Sequence, residues 1–356
     1  MIQKTWEQII IYLRQNEEES EMGQTAFHDV DIGGILGIQN VKRYGVSIAV
    51  ASGDSVETFC LGTGRFGKNF PVNPDMLFQA GSVSKPVFAA TLLRYADKGI
   101  IDLDADISGV ISDFVDFPLT FTALLSHTAG FNVHGFPGYR AGHKLLSLED
   151  VLKGAGNTPG VCRTLPYGEQ YSYSGGGITL AELAFTRITG TTLQDAFAQE
   201  IAAPLELTRS GFFQPLDEGR MDNAAFGGQL GIWEDRRHGY HYYPENAAAG
   251  LWSTPAELAK IGIALSRSFR DGALLSKETA VRMMTPVMNH YGLCLECTAD
   301  TAQHTGVNAG FLTFLKFSLA EDFCVAAMTN KFGILSTKMI GKLSGAGNRL
   351  FENAKG

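Results

Sequence analysis

Two side chains three positions apart hold the first chemical possibility in this sequence. In "GSVSK", residues 81–85, a helix beginning near Ser82 sets Lys85 one turn further on and on the same face, so that its amine reaches the Ser82 hydroxyl. A serine hydroxyl is a weak nucleophile at neutral pH. A lysine can serve as its base only where burial or nearby positive charge lowers the amine's pKa. The surroundings suit that requirement: Phe78, Val83, Val87 and Phe88 are apolar, and a helix N-terminus opposes a cation while favouring a developing oxyanion. Pro86 falls within the first turn, where its missing N–H costs least. Taken alone, the pattern reads first as a capped, solvated helix start. Two later stretches offer partners. "YSGGG", residues 173–177, puts the Tyr173 hydroxyl at a tight turn ahead of a helix, from which it can project into a cleft. "HTG", residues 304–306, stands directly before a strand, with a glycine that lets backbone approach a ligand closely.

In this order the stretches resemble the motifs of the serine hydrolases related to class C β-lactamases, D-alanyl-D-alanine carboxypeptidases and β-lactamase-fold esterases. "GSVSK" looks like the first motif and "YSGGG" like a variant of the second, Tyr-x-Asn. "HTG" looks like the third, Lys-Thr-Gly, which is often His-Thr-Gly in the esterase-like branch. "LLSHTAGFNVHGFPGY", "APLELTRSGFF" and "AAAGLWSTPAELAKI" resemble framework segments of that branch, and the likeness runs from about residue 42 to about residue 332. The resemblance implies that Ser82 is the acyl-accepting nucleophile, that Lys85 takes part in its activation and that Tyr173 is a second proton carrier. It leaves open which of Lys85 and Tyr173 is the base. His304 takes the place of the third motif's polar residue, orienting Tyr173 or, if protonated, meeting a substrate carboxylate. The implied oxyanion-hole donors are the backbone N–H groups of Ser82 and Val307.

The sequence departs from the family pattern at Gly175, where Tyr-x-Asn has an asparagine. The amide used toward acyl-amide substrates is absent, and the pocket is expected to gain room. A neutral imidazole at His304 also holds a carboxylate less firmly than lysine does. The expected substrates are therefore small esters or amides, ahead of β-lactams or peptidoglycan peptides. His134, Tyr139, Trp252 and Asn308 are read as lining the cleft, and Ser126 and His127 as a framework turn. The implied reaction is hydrolysis through an acyl-enzyme on Ser82. The alternatives are acyl transfer, D-amino-acid peptidase or carboxypeptidase action, and a slowly deacylating penicillin-binding or sensing module. The partner is a small ester, amide or peptide; no metal and no organic cofactor is implied.

Positioning these residues requires strands near both ends of the chain and helices between them. "YGVSIAVASGDSVETFCLG" alternates Val46, Ile48 and Val50, turns at Ser52-Gly53-Asp54 and resumes with Val56, Thr58 and Cys60, which is a hairpin pattern. Residues 310–330 repeat it with a turn near Ala320-Glu321-Asp322. Between them "LEDVLKGA", "TLAELAFTRITG", "TLQDAFAQEIAAPL" and "STPAELAKIGIALSRSF" read as helices. Starts are marked at Thr192, with Gln194 in the first turn, and at Ser253-Thr254-Pro255, with Glu257. The expected class is α/β (α+β), a β-lactamase/transpeptidase-like fold. An antiparallel sheet from N- and C-terminal strands is flanked by helices, with a mainly helical region inserted. Divided along the chain, 1–40 is an N-terminal helix and lead-in, 41–102 with 245–356 the sheet region, and 103–244 the helical region, all one catalytic unit.

Composition narrows the partners. The 356 residues are 45% hydrophobic and 19% charged, enough for a large core, and the net charge of -8 with no basic run argues against nucleic-acid binding. The apolar run Ile9–Leu13 is too short for a signal or membrane segment. With Trp6 it spaces as an amphipathic helix, so the expected compartment is the cytoplasm, with no membrane partner. Five scattered cysteines suit free thiols. "YGLCLECTA" is read as a strand that turns Cys294 and Cys297 to opposite faces, and "HGYH", 238–241, as a loop; neither is read as a metal site. "DIGGILG", 31–37, has no preceding strand pattern and is read as a loop, not a phosphate site. Oligomeric state is not legible.

Overall fold

The computed structural model describes residues 26–36, 44–65, 68–140, 142–227, 239–331 and 336–354. The amphipathic helix expected around Trp6–Leu13 lies outside them, as does His238. The first hairpin forms as its alternation demands: strands β1 (Gly45–Ser52) and β2 (Ser55–Gly62) close on the pair Ser52–Ser55, with Gly53 at φ 61°. Near the other end run β3 (Glu296–Cys297), β4 (Thr301–Asn308), β5 (Phe311–Ser318) and β6 (Phe323–Thr329). All pair antiparallel in the order β2-β1-β6-β5-β4-β3, so the two chain ends meet where Val50 of β1 faces Val325 of β6.

Both faces of this sheet are covered, and side-chain volume sorts them. Val46, Ile48 and Val50 point with Leu312, Phe314 and Val325 toward Leu343, Ala346 and Leu350 of the C-terminal helix. On the opposite face β1 and the adjoining part of β6 carry small residues, Ala49, Ala51, Cys324 and Ala326, while Leu315 and Phe317 of β5 supply the bulk on that side. There Gly262, in the helix Pro255–Asp271, comes so close that a Cβ on it would lie 2.6 Å from the Cys324 sulfur. A one-residue slip of β1 would drive valine and isoleucine into that narrow gap, so the register is held by volume as well as polarity.

Four helices matter below: α1 (Ser84–Asp97), α2 (Gly175–Thr189), α3 (Pro255–Asp271) and α4 (Ser336–Asn353). The start expected at Ser253-Thr254-Pro255 is present: Thr254 accepts the Glu257 N–H and Pro255 occupies the first turn of α3. Thr192 likewise caps a short helix, Leu193–Phe197, by accepting the Asp195 N–H. Gln194 turns away and accepts the Phe212 N–H at 2.6 Å, pinning a neighbouring segment. Three expectations are corrected. The strand expected around Cys294 shrinks to Glu296–Cys297, because Cys294 stands at φ 61°, outside extended backbone. His241, expected in a loop, begins a two-residue strand paired to Tyr139–Arg140. Ile32–Leu36, also expected in a loop, is a short helix preceded by the strand pair Ala26–Phe27 and Val30–Asp31.

Candidate active site

Ser82 sits in a short 3-10 turn, Gly81–Val83, that runs straight into α1. Gly81 has φ 54°, and a Cβ there would come within 2.6 Å of the Val307 nitrogen. A Cβ on Gly306 would come within 1.9 Å of the Ala80 carbonyl oxygen and 3.2 Å of the Ser82 nitrogen. The serine turn and β4 therefore meet backbone to backbone, an approach only glycine permits. Ser84 holds the turn from behind, donating to the Gly81 carbonyl at 2.6 Å and accepting the Leu251 N–H at 3.0 Å. Asn308 and Phe311 flank the two-residue turn Ala309–Gly310 and form the closing pair of the β4–β5 hairpin. The alternation of an antiparallel ladder then directs the Val307 N–H away from β5, to the side on which Ser82 lies.

The α1 helix starts at Ser84, two residues later than the sequence suggests, and still carries Lys85 to the serine. Lys85 Nζ donates to Ser82 Oγ at 2.9 Å and to the Ala248 carbonyl at 2.7 Å. The ammonium is buried, and burial lowers its pKa to about 7; the Cys294 thiol opposes the shift. It also lies 5.0 Å from the centre of the Tyr173 ring.

Tyr173 precedes the N-cap of α2. Ser174 is extended, accepts the Gly177 N–H at 2.9 Å and donates to the Asn132 carbonyl at 2.6 Å. The first turn of α2 is glycine because a Cβ on Gly176 would lie 2.9 Å from Val161. Ser82 lies close enough to the Tyr173 phenol to favour its ionised form, but burial outweighs that influence and pushes its pKa above the ordinary value of 10.0. It stays protonated at neutral pH.

His304, on β4, has both ring nitrogens engaged. Nδ1 lies 2.6 Å from the Thr305 carbonyl oxygen, which can only accept, so Nδ1 carries the proton and Nε2 accepts from the Tyr291 hydroxyl at 3.0 Å. Burial, then the neighbouring Lys85, lowers its pKa to about 3. The imidazole is neutral at physiological pH and supplies no cation for a carboxylate; its ring centre is 6.1 Å from that of Tyr173.

The remaining sequence-derived residues divide. His134 is exposed, its ring centre 4.9 Å from that of Tyr173. Asn308 is buried and braces the fold, donating to Gln79 Oε1 and the Ala249 carbonyl, both at 3.0 Å. The Tyr139 hydroxyl accepts the Asn157 N–H at 3.3 Å, in the strand pair with Tyr242. Trp252 does not line a cleft: it is fully buried, edge-on to Tyr240 and Phe311 in the core. Nor does Gly175 open a space. A Cβ there would meet the Phe136 ring at 3.0 Å and the His134 carbonyl at 3.2 Å, so Phe136 fills the room.

Several neighbours carry no short-range sequence signal. Tyr291 reaches His304 only through the tertiary fold. The turn Asn246–Gly250 presents the Ala248 carbonyl to Lys85 and the Ala247 N–H to Glu182, at 2.8 Å. Glu182 is buried on α2 and burial raises its pKa to about 8. Glu245 is fully buried with neither oxygen hydrogen-bonded, and burial raises it to about 7. Among the described residues, no group of three or more His, Cys, Asp or Glu side chains is arranged to hold a metal ion.

Residues 35–338 match the protein family described as Beta-lactamase. The chain belongs to the β-lactamase family. A penicillin-binding protein of Bacillus subtilis (strain 168) is 23% identical over 191 residues, 51% of this chain and 41% of that protein, so the chain spans less than half of this relative's length. The D-amino acid amidase of Ochrobactrum anthropi SV3, solved with L-phenylalanine amide, superposes with a TM-score of 0.73 at 20% identity, covering 91% of this chain and 98% of that one. A β-lactamase/D-alanine carboxypeptidase of Yersinia pestis does so with a TM-score of 0.68 at 17% identity, covering 94% and 98%. These likenesses establish the β-lactamase/transpeptidase fold for the described sheet and helices. No described helix is long and apolar enough to cross a membrane.

Proposed function

We propose that this β-lactamase-family chain is a serine hydrolase acting on small, uncharged-acyl esters or amides through an acyl-enzyme on Ser82. The observation that carries the reading is the buried Lys85 amine, 2.9 Å from Ser82 Oγ and with its pKa lowered to about 7 by burial. A substantial fraction of the amine is then free base at neutral pH, which favours Lys85 over the high-pKa phenol of Tyr173 as the group that takes the serine proton. Ser82 Oγ bonds to the carbonyl carbon while its proton passes to Lys85 Nζ, and the carbonyl π pair moves to oxygen beside the Ser82 and Val307 N–H groups. Tyr173 gives its proton to the leaving alcohol or amine as the C–O or C–N bond breaks, and recovers one from Lys85. Water then attacks the acyl carbon, its proton returns by the same carriers to Ser82 Oγ, and the acid departs.

The substrate class is inferred from the two motif positions, among the described residues, that depart from the family pattern. His304 is neutral and fully engaged, and Gly175 offers no side-chain amide, so neither position gives a terminal carboxylate or an acyl-amide group a dedicated partner. The test is intact mass after incubation with a fluorophosphonate, a penicillin and p-nitrophenyl acetate, with ester turnover followed alongside and Ser82→Ala as control. Labelling confined to Ser82 with rapid ester turnover and no lasting penicilloyl adduct is expected. Turnover by Ser82→Ala at the wild-type rate would refute the nucleophile, and a lasting penicilloyl adduct with negligible turnover would replace hydrolysis with a penicillin-binding role.

A further inference from the structure

His127 has the sequence setting of a framework turn, yet its ring and its carbonyl both meet the segment that carries Tyr173. The Ser172 N–H donates to the His127 carbonyl at 2.8 Å, and the Ser174 N–H donates to its Nδ1 at 3.2 Å. The backbone N–H groups of the two residues that flank Tyr173 thus end on one residue, the first on its carbonyl and the second on its side chain. The imidazole also lies against the Tyr173 ring, with centres 4.3 Å apart. Because Nδ1 accepts, the proton is on Nε2, and Nε2 is buried without a hydrogen-bond partner. The residue adopts φ 59°, a left-handed conformation that is uncommon outside glycine and that asparagine, aspartate and histidine adopt most readily among the other residues.

The unpaired buried donor works against stability. Asparagine would tolerate the backbone, and its carbonyl could accept the Ser174 N–H, so backbone support alone does not call for an imidazole. What histidine adds is a flat ring against the phenol of Tyr173. Among the described residues, the groups facing it are the rings of Tyr171, Tyr173 and Tyr291 and the bases Lys85, His134 and His304, and none of these is a carboxylate that would hold an imidazolium. Burial and those bases together lower its pKa well below the ordinary value. Its Nδ1 lone pair therefore stays available to Ser174 even while Lys85 carries the serine proton.

We propose that His127 is the positioning residue of Tyr173, gripping the backbone on either side of the phenol and one face of its ring so that the hydroxyl stays directed at Ser82. The proposal rests on the roles given above to Ser82, Lys85 and Tyr173. It is tested by a double-mutant cycle on p-nitrophenyl acetate hydrolysis with His127→Leu, Tyr173→Phe and the pair, together with His127→Asn. Misplacing a reacting group by an ångström costs about 100-fold, and His127→Leu is expected to lower kcat by about that factor with little change in KM. His127→Asn, which keeps an acceptor for Ser174, is expected to recover part of the loss. In the Tyr173→Phe background, His127→Leu is expected to have no further effect; an equal loss in both backgrounds would overturn the proposal. A second measurement uses the unmutated protein and needs no turnover. The 15N shifts of His127 should report the Nε2–H tautomer unchanged between about pH 5 and 9, and titration within that range, or an Nδ1–H tautomer, would also overturn it. Absence of Ser82 labelling in the wild type, by contrast, would count against the hydrolase reading while leaving the tautomer result to judge His127.

Discussion

Varying the pH separates a buried, neutral lysine from an ordinary one. Lowering the Lys85 pKa from 10.5 to about 7 amounts to about 5 kcal/mol against the ammonium form in its site. A titration centred there leaves about a tenth of Lys85 neutral at pH 6, half at pH 7 and about nine tenths at pH 8. With its ordinary pKa, about three molecules in ten thousand would be neutral at pH 7. The assay is the second-order rate of Ser82 labelling by an uncharged fluorophosphonate, from pH 5 to 10, which reports the free protein. The expected profile rises roughly tenfold per pH unit below 7 and levels off above 8; Lys85→Met should lie far below it and lose the inflection. A rate that climbs tenfold per unit through pH 9 would mean that burial does not neutralise the amine, and the argument for Lys85 as base would fall with it.

The buried glutamates Glu182 and Glu245 make a stability prediction of definite sign. Raised carboxyl pKa values mean that the unfolded chain loses these protons first. Stability is fullest below about pH 4.5 and is lost as pH rises toward about 7 for Glu245 and about 8 for Glu182. Glu182→Gln, which keeps an acceptor for the Ala247 N–H, should therefore raise Tm more at pH 8 than at pH 5 in calorimetry; equal gains at both would refute the burial argument. Tyr291→Phe leaves His304 Nε2 buried without a donor and should cost about 1–3 kcal/mol, read as a lower urea midpoint at unchanged slope. An unchanged midpoint would show that the bond contributes nothing to stability.

Much of the fold was legible because its strands obey local rules. The β1–β2 and β5–β6 hairpins announce themselves by alternation broken at a short turn, and α3 by a cap followed by proline. The order of motifs also pointed to which segments should meet at Ser82. What could not be read is whatever depends on the distance between faces. Trp252 looks like a cleft residue from its neighbours in sequence and is core, because Tyr240 and Phe311 close over it. The missing side chain at Gly175 suggests space, but the nearby Phe136 occupies it. Cys294 escapes its strand through a left-handed φ that no apolar pattern encodes. His127 was legible as part of a turn, whereas its grip on Tyr173 depends on a contact made 46 residues downstream.

The position of β1 in the sheet bears on how the protein is made. Its inner neighbour, β6, is about 270 residues further along the chain. At a synthesis rate of about 5–20 residues per second, that strand leaves the ribosome about 15 to 50 seconds after the hairpin it must join. Until then the hairpin, if formed, presents a bare edge with Val46, Ile48 and Val50 uncovered on one face, the arrangement most prone to pair with another nascent chain. Protection during synthesis, by a chaperone or by delayed folding of residues 45–62, is thus a requirement set by strand order, and slow translation would increase the yield lost to aggregation.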